Sequence, residues 1–340
     1  MNATGDARRA FAPGRVNLIG DHTDYNGGLA LPMAVQLGVE VEYRPEDQPV
    51  LLVESDLEAE PAAIPLTGPA GQLAPWAALA AAVVALVGPA RGGRVRVRSD
   101  LPAGAGLSSS AAFSVSLALA LGVPADPVGV ARLCQRAELA IGVPVGLMDP
   151  LAAMASRAGT ALLIDFTSLR TEPVPVPEGA VVTVVDSGVR RRLDATAYAE
   201  RRAQCEAAAA ALGRALGACS VAEAESLADP VLRRRARHVT TEDERVRAFA
   251  RVLADGDLAA AGRLMSESHR SLSRDFEVST PELDRLVERL EATPGVLGAR
   301  LTGAGFGGCV VALSRHPLGS LGTTRAWTVR PGPGARVEAL

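Results

Sequence analysis

Residues 101–112 read LPAGAGLSSSAA. Just ahead, in 94–100, Val95 and Val97 alternate with Arg94, Arg96 and Arg98, the period-two pattern of a strand with one buried face. Just behind, 111–121 is rich in alanine and leucine and stops at Gly122, with Pro124 beyond, the stop signals of a helix. A strand therefore runs through a glycine-rich loop into a helix. Gly104 and Gly106 carry no Cβ, so backbone N–H groups can turn toward a ligand, and the first amides of the helix have no intrahelical partner. Such a loop suits an anion, above all a phosphate. Ser108, Ser109 and Ser110 add hydroxyls for capping, phosphate contact or magnesium ligation. Taken alone, the pattern also fits a tight turn with a serine N-cap. It is not a Rossmann fingerprint, because Ser109 stands where the third glycine belongs. Nor is it a Walker loop, which needs a lysine on the phosphates, and the chain contains no lysine.

The composition narrows the class. With 340 residues, 48% of them apolar, and a net charge of −3, the chain can bury a core in two domains, and neither disorder nor a nucleic-acid surface is expected. Cys134, Cys205, Cys219 and Cys309 are scattered without metal-ligand or redox spacing, and no signal peptide is evident at the start, so a reducing cytoplasm is the expected home. The most apolar run, 76–87, follows Pro75 and is too short to cross a bilayer; it reads as a core helix, and no membrane partner is expected.

Residues 11–32, FAPGRVNLIGDHTDYNGGLALP, form the second informative segment. Asp21, Thr23, Asp24 and Asn26 fit a turn between short strands, with His22 as a loop histidine. Equally, short carboxylates and an imidazole converging from one loop suit a polyhydroxylated sugar, with Arg15 adding positive charge. Strands are expected at 38–43 and 50–54, then helices at 127–141 and 150–157, with Asp149 as the N-cap of the latter. Apolar strands follow at 161–166 and 180–186, and the proline-rich run VPVPEG, 174–179, is the expected domain boundary, dividing the chain into 1–178 and 179–340. The second part reads as helical over 195–216, 230–255 and 257–274, and Ser279-Thr-Pro-Glu282 as a capping box opening one more helix. LTGAGFGGCVVAL, 301–313, places a glycine cluster between strand-like runs, which also fits a glycine-rich hairpin.

The segments FAPGRVNLIGDHTDYNGG, LPAGAGLSSSAA and LTGAGFGGC resemble, in this order, the three motifs of the GHMP small-molecule kinases, and the first resembles the signature of the galactokinases within that family. The similarity runs from Phe11 to Leu313. It implies a two-domain fold, α/β then α+β, with the active site in the interdomain cleft, and ATP and Mg2+ as cosubstrate and metal. The expected reaction is transfer of a phosphoryl group to the anomeric hydroxyl of galactose. A related kinase for a modified galactose and a non-catalytic sugar- and ATP-binding regulator are the other readings that the resemblance admits; a monomer is expected. Asp149 and Arg15 map onto the catalytic pair, and Asp21, His22, Asp24, Gly146 and Tyr198 onto the sugar site. Trp76 maps onto an aromatic on the adenine side. Gly104, Gly106, Leu107, Ser108, Ser109, Ser110 and Ala111 would wrap the phosphates, and the loop with Gly303 and Gly305 would close the cleft. Ser109 and Glu138 are the expected metal ligands. Two departures stand out: Asp21 replaces the family's usual glutamate, and the segment from Glu138 to Asp149 is one residue shorter than usual, which on a helix would turn a side chain by about 100°.

Overall fold

A computed structural model describes residues 7–68, 71–190, 195–319, 321–322 and 324–340. In chain order the strands are β1 (Arg8–Asn17), β2 (Leu29–Ala30), β3 (Pro32–Glu46), β4 (Val50–Ser55), β5 (Ala62–Pro65), β6 (Gly92–Ser99), β7 (Thr160–Asp165), β8 (Arg170–Pro175), β9 (Val181–Asp186), β10 (Val296–Thr302), β11 (Cys309–Ser314), β12 (Ala326–Val329) and β13 (Arg336–Ala339). The helices are α1 (Pro75–Val87), α2 (Ser109–Ala120), α3 (Pro127–Ala140), α4 (Met148–Ala155), α5 (Ala195–Leu212), α6 (Val221–Glu225), α7 (Pro230–Ala254), α8 (Leu258–Ser271) and α9 (Pro281–Glu291). A π-helical turn, Leu272–Phe276, ends α8.

The first sheet has the order β13-β1-β3-β6-β4-β5. In β6 the valines Val95 and Val97 are buried while Arg94, Arg96 and Arg98 face water, as the alternation requires. Opposite them on β3 stand Glu42 across from Arg96 and Glu40 across from Arg98, so the solvent face carries paired charges. Helix α2 lies on β1 and β3 and is buried nearly all round, which explains its alanine-rich face: small side chains let helix and sheet approach. Ser114 and Ser116 survive there because their hydroxyls donate back to Ala111 and Ala112 carbonyls at 3.2 and 2.8 Å.

A second antiparallel sheet, β10-β11-β9-β12, is covered by α8 and α9, and a third, β2-β7-β8, packs against β3 and α7. One apolar core joins the halves: Val182, Val184, Phe249, Leu253 and Met265 pack in the same cluster as Leu18, Met33 and Val115. Among the described residues no helix is long and apolar enough to cross a membrane.

Two local expectations are corrected, at the starts of α9 and α4, and the strands add two details. Val174 and Pro175, at the start of the run 174–179, belong to β8; that strand is an edge, where Pro173 and Pro175 leave no ladder bond unmade. The last strand leaves the second part of the chain, pairing Arg336–Ala339 with β1 of the first sheet. The cap of α9 is Thr280, which accepts from Leu283 N at 3.3 Å, while Ser279 donates to Asp284 instead. Helix α4 starts two residues earlier than expected, with Leu147 at its N-cap, which frees the Asp149 side chain from capping.

Phe249 is 1% exposed and packs where α7 meets the second sheet. Phe249→Ala is expected to cost about 3–5 kcal/mol. Urea unfolding should show the midpoint falling with the slope unchanged, and an unchanged midpoint would place the shared core elsewhere.

Candidate active site

Arg15 lies just past an irregularity in β1, where the register against β3 shifts between Pro13 and Arg15. Such a bulge re-aims a side chain. Gly14 has to be glycine there, because a Cβ would run into the Leu107 carbonyl, and Arg15 N donates to that same carbonyl at 3.1 Å. The Arg15 guanidinium then makes a fork: Nε and Nη2 donate to Asp149 Oδ1 and Oδ2, both at 2.7 Å, and Nη1 to the Gly106 carbonyl at 2.9 Å. Its side chain is 7% exposed, that of Asp149 31%, so the pair presents its carboxylate outward.

Ser108 completes this cradle. It stands at the N-cap of α2 with φ +59°, yet makes no cap; its hydroxyl donates to Asp149 Oδ2 at 2.5 Å. Serine as a simple helix cap is thereby corrected, for the left-handed backbone turns Oγ away from the helix amides. A non-glycine residue in that region costs energy and marks a place where the surroundings over-determine the backbone. Gly104 and Gly106 share the positive φ, at +76° and +65°. Leu107 and Ala111 are buried, so only their backbones are available to a ligand, whereas Ser109 and Ser110 are exposed at the mouth of the helix.

Of the serines it is Ser110, not Ser109, that faces Glu138, its Oγ lying 3.4 Å from Glu138 Oε2. Glu138 sits in the last turn of α3, and the stretch between it and Asp149 is mostly the turn and loop that lead to α4, not helix. Glu138 is 5% exposed; burial first, and Asp149 next, push its pKa up to about 7. A buried carboxylate raised by a second carboxylate, with a hydroxyl alongside, is a hard-oxygen set that fits a magnesium ion. Among the described residues no cluster of three His, Cys, Asp or Glu side chains could hold a metal by itself, so phosphate oxygens and water would supply the remaining ligands.

Across the cleft lies the loop 20–29. His22 has φ +65°, with Nδ1 2.9 Å from Tyr25 Oη and its ring 4.7 Å from Phe276 and 5.9 Å from Tyr198. Tyr198 projects from α5, and burial above all raises its pKa. The Asp24 carboxylate occupies the place where a Cβ at residue 146 would be, which is why that position is glycine. Burial, then Asp149, push the Asp24 pKa up to about 6. The rings of His22, Tyr25, Tyr198 and Phe276 thus form one aromatic group, and Asp24, beside Gly146 and within range of Asp149, lies next to it; this is the candidate sugar recess.

Helix α7 braces the loop from behind, a role with only a faint signal in sequence: three buried polar residues on one face of a helix. Glu242 Oε1 accepts from Gly20 N at 3.0 Å, Asp243 Oδ1 from Leu29 N at 2.7 Å, and His238 Nε2 donates to the Asp21 carbonyl at 3.1 Å. A carbonyl can only accept, so the proton is on Nε2, and Nδ1 takes the Ser271 hydroxyl at 2.9 Å. Burial pushes the His238 pKa down to about 3, so the ring is neutral; Glu242 is held at about 2, since Arg245 and its other partners outweigh its burial.

Asp21 stands apart from the other sugar-site residues, and Trp76 lies on a separate element. Asp21 is 2% exposed and does not look into the recess: its oxygens accept from Arg300 Nη2 and, at 3.0 Å, from Gly303 N. Trp76 sits half-buried in the first turn of α1, packed on the main core. Gly303 and Gly305 lie in the β10–β11 turn; at Gly305, φ +76°, a Cβ would strike the Val278 carbonyl, to which Phe306 N donates at 2.8 Å.

A raised carboxylate pKa is a stability cost that grows as pH climbs from the unfolded to the folded value. For Asp24 that window runs from 3.8 to about 6, and the cost is complete above it. Asp24→Asn should therefore raise the melting temperature near about pH 8 and lose that advantage near about pH 4. Equal melting temperatures at the higher pH would show the Asp24 carboxylate to be well solvated.

Comparison with known proteins agrees with this geometry. Residues 2–45 match the galactokinase galactose-binding signature, 76–157 the GHMP kinases N terminal domain, and 247–318 the GHMP kinases C terminal model. The galactokinase of Mycobacterium bovis (strain BCG / Pasteur 1173P2) is 46% identical over 318 residues, 89% of this chain and 87% of that protein. Galactokinase of Homo sapiens is 42% identical over 341 residues, 91% and 87% of the two chains. A crystal structure of Lactococcus lactis galactokinase complexed with galactose superposes with TM-score 0.87 at 28% identity, covering 98% of this chain and 95% of that one. The chain thus belongs to the galactokinase family of GHMP kinases.

Proposed function

We propose that this chain transfers the γ-phosphoryl group of ATP to the anomeric hydroxyl of galactose, giving galactose 1-phosphate and ADP. The observation that carries the reading is the Arg15 fork, which fastens the Asp149 carboxylate to the Gly106 carbonyl of the glycine loop. A carboxylate for the acceptor and a loop for the donor are thereby held in one piece, and phosphoryl transfer asks mainly for such positioning and charge neutralisation.

In this scheme galactose lies in the recess of His22, Asp24, Gly146 and Tyr198, its ring against the aromatic wall. Asp149 accepts the hydrogen bond of the anomeric hydroxyl and takes its proton as that oxygen bonds to phosphorus and the bond to ADP breaks. Arg15 offsets the charge on Asp149 and on the reacting oxygen, and Ser108 fixes the carboxylate rotamer. Amides from Gly104 to Ala111 meet the phosphates, with Ser109 on a phosphate oxygen, Gly303 and Gly305 closing over them and Trp76 on the adenine side. Magnesium, held by Ser110 and Glu138, would neutralise phosphate charge. Cys134, Cys205 and Cys219, which are free thiols, support a reducing cytoplasm, where the protein would act as a monomer.

ATP consumption against a panel of monosaccharides tests the reading, with galactose expected as the best acceptor and the 1-phosphate as product; a wild type that ignores galactose overturns it. Asp149→Asn should lower kcat by about 10²–10⁴-fold while ATP binding stays near normal. Near-normal turnover would reduce Asp149 to a structural role. Gly146→Ala, whose methyl group displaces the Asp24 carboxylate, should raise the galactose KM about tenfold or more with a smaller change in the ATP KM.

A further inference from the structure

The galactokinase-like loop carries an aspartate at 21, and that side chain is turned away from the recess that its neighbours His22 and Asp24 line. Its carboxylate is 2% exposed and has both oxygens engaged: Oδ2 with the guanidinium of Arg300, itself 0% exposed, and Oδ1 with Gly303 N at 3.0 Å. Arg300 and Gly303 belong to β10 and the turn that follows it. Arg300 also reaches the Asn17 carbonyl through Nη1 at 3.3 Å, and Thr302 Oγ1 donates to that same carbonyl at 3.1 Å.

The backbone at this point has little freedom to redirect the side chain. Gly20 N is held by Glu242, the Asp21 carbonyl by His238 and Leu29 N by Asp243, all from α7. With the backbone pinned, side-chain length decides where the carboxylate lands, and the short aspartate reaches the β10 partners. Turning it toward a sugar would break the ion pair of a fully buried Arg300 and leave only the Glu242 carboxylate, which feels the Arg300 charge without bonding to it, to offset that charge, which is unfavourable.

We propose that Asp21 is a positioning residue and not a ligand of the sugar: through Arg300 and Gly303 N it latches the loop that carries His22 and Asp24 to the glycine turn of the second sheet. This rests on the galactose 1-kinase reading above. Because the turn beginning at Gly303 is the part expected to close over the phosphates, the latch sets the sugar side and the nucleotide side in one register. No hydroxyl of the sugar then depends on Asp21 for its own hydrogen bond.

The test is a steady-state comparison of wild type, Asp21→Asn and the double variant Asp21→Asn/Arg300→Gln on galactose and on each of its monodeoxy derivatives, with melting temperatures recorded alongside. Asp21→Asn leaves a buried arginine without its counter-ion, and kcat/KM for galactose should fall about ten- to a hundredfold. The same factor should apply to every monodeoxy sugar, because no single hydroxyl is coupled to Asp21. Neutralising the arginine in the double variant should recover most of the loss. A monodeoxy sugar on which wild type and Asp21→Asn perform alike would identify the hydroxyl that Asp21 holds and overturn the proposal. So would a folded double variant no better than the single one. Should Asp21→Asn fail to fold, the double variant carries the test through its monodeoxy profile, which must parallel that of wild type. A wild type inactive on galactose but active on another sugar is a separate outcome, which refutes the galactose reading and leaves the latch to be tested on the sugar that is used.

Discussion

Everything chemical in this fold hangs on one buried guanidinium. Arg15 spends three of its nitrogens on two partners that are far apart in sequence, the Asp149 carboxylate and the Gly106 carbonyl. Each partner alone would be mobile: Asp149 is in the first turn of a short helix, and Gly106 is in a loop rich in positive φ. The planar fork of arginine fixes both at once, and a lysine could not, since it offers a point charge without a bidentate geometry. Ser108, in a backbone conformation unfavourable for a side-chain-bearing residue, adds a third tie to the same carboxylate.

Around this cradle the protein gathers negative charge. Asp24 and Glu138 both have raised pKa values, and in each case burial is the first cause and Asp149 the second. Arg15 pairs with Asp149 and lowers the pKa of Glu138, while Asp24 has no such cation; this excess of negative charge is a stability cost that, under the proposed function, hydroxyl donors and a divalent cation would relieve. Stability is thus exchanged for a site pre-formed to receive its ligands. The opposing restraint comes from α7, whose Glu242, Asp243 and neutral His238 hold the backbone of the 20–29 loop so that its strained His22 stays in place.

The glycine loop, the strand before it and the helix after it are legible in the sequence because each signal is local: alternation, a missing Cβ, a stop at Gly122. Arg15, Asp24 and Asp149 are legible through motif resemblance. What is not legible depends on directions that only the packed backbone sets. Ser110 and not Ser109 faces Glu138, because the left-handed Ser108 rotates the start of α2. Asp21 and Asp24 look alike three residues apart, yet one points to β10 and the other to Gly146. The α7 brace and the π turn that brings Phe276 to His22 come from distant sequence whose polar pattern reads as an ordinary solvated helix. The excursion of β13 back to the first sheet leaves no local trace at all.

The most direct measurement is a crystal structure with galactose and a non-hydrolysable ATP analogue bound together. The account predicts the anomeric hydroxyl on the Asp149 carboxylate, the Arg15 fork unbroken, and the γ-phosphoryl group facing that hydroxyl from the glycine-loop side. A sugar that presents a different hydroxyl to Asp149, or an Arg15 that leaves Asp149 once both ligands are in place, would contradict it.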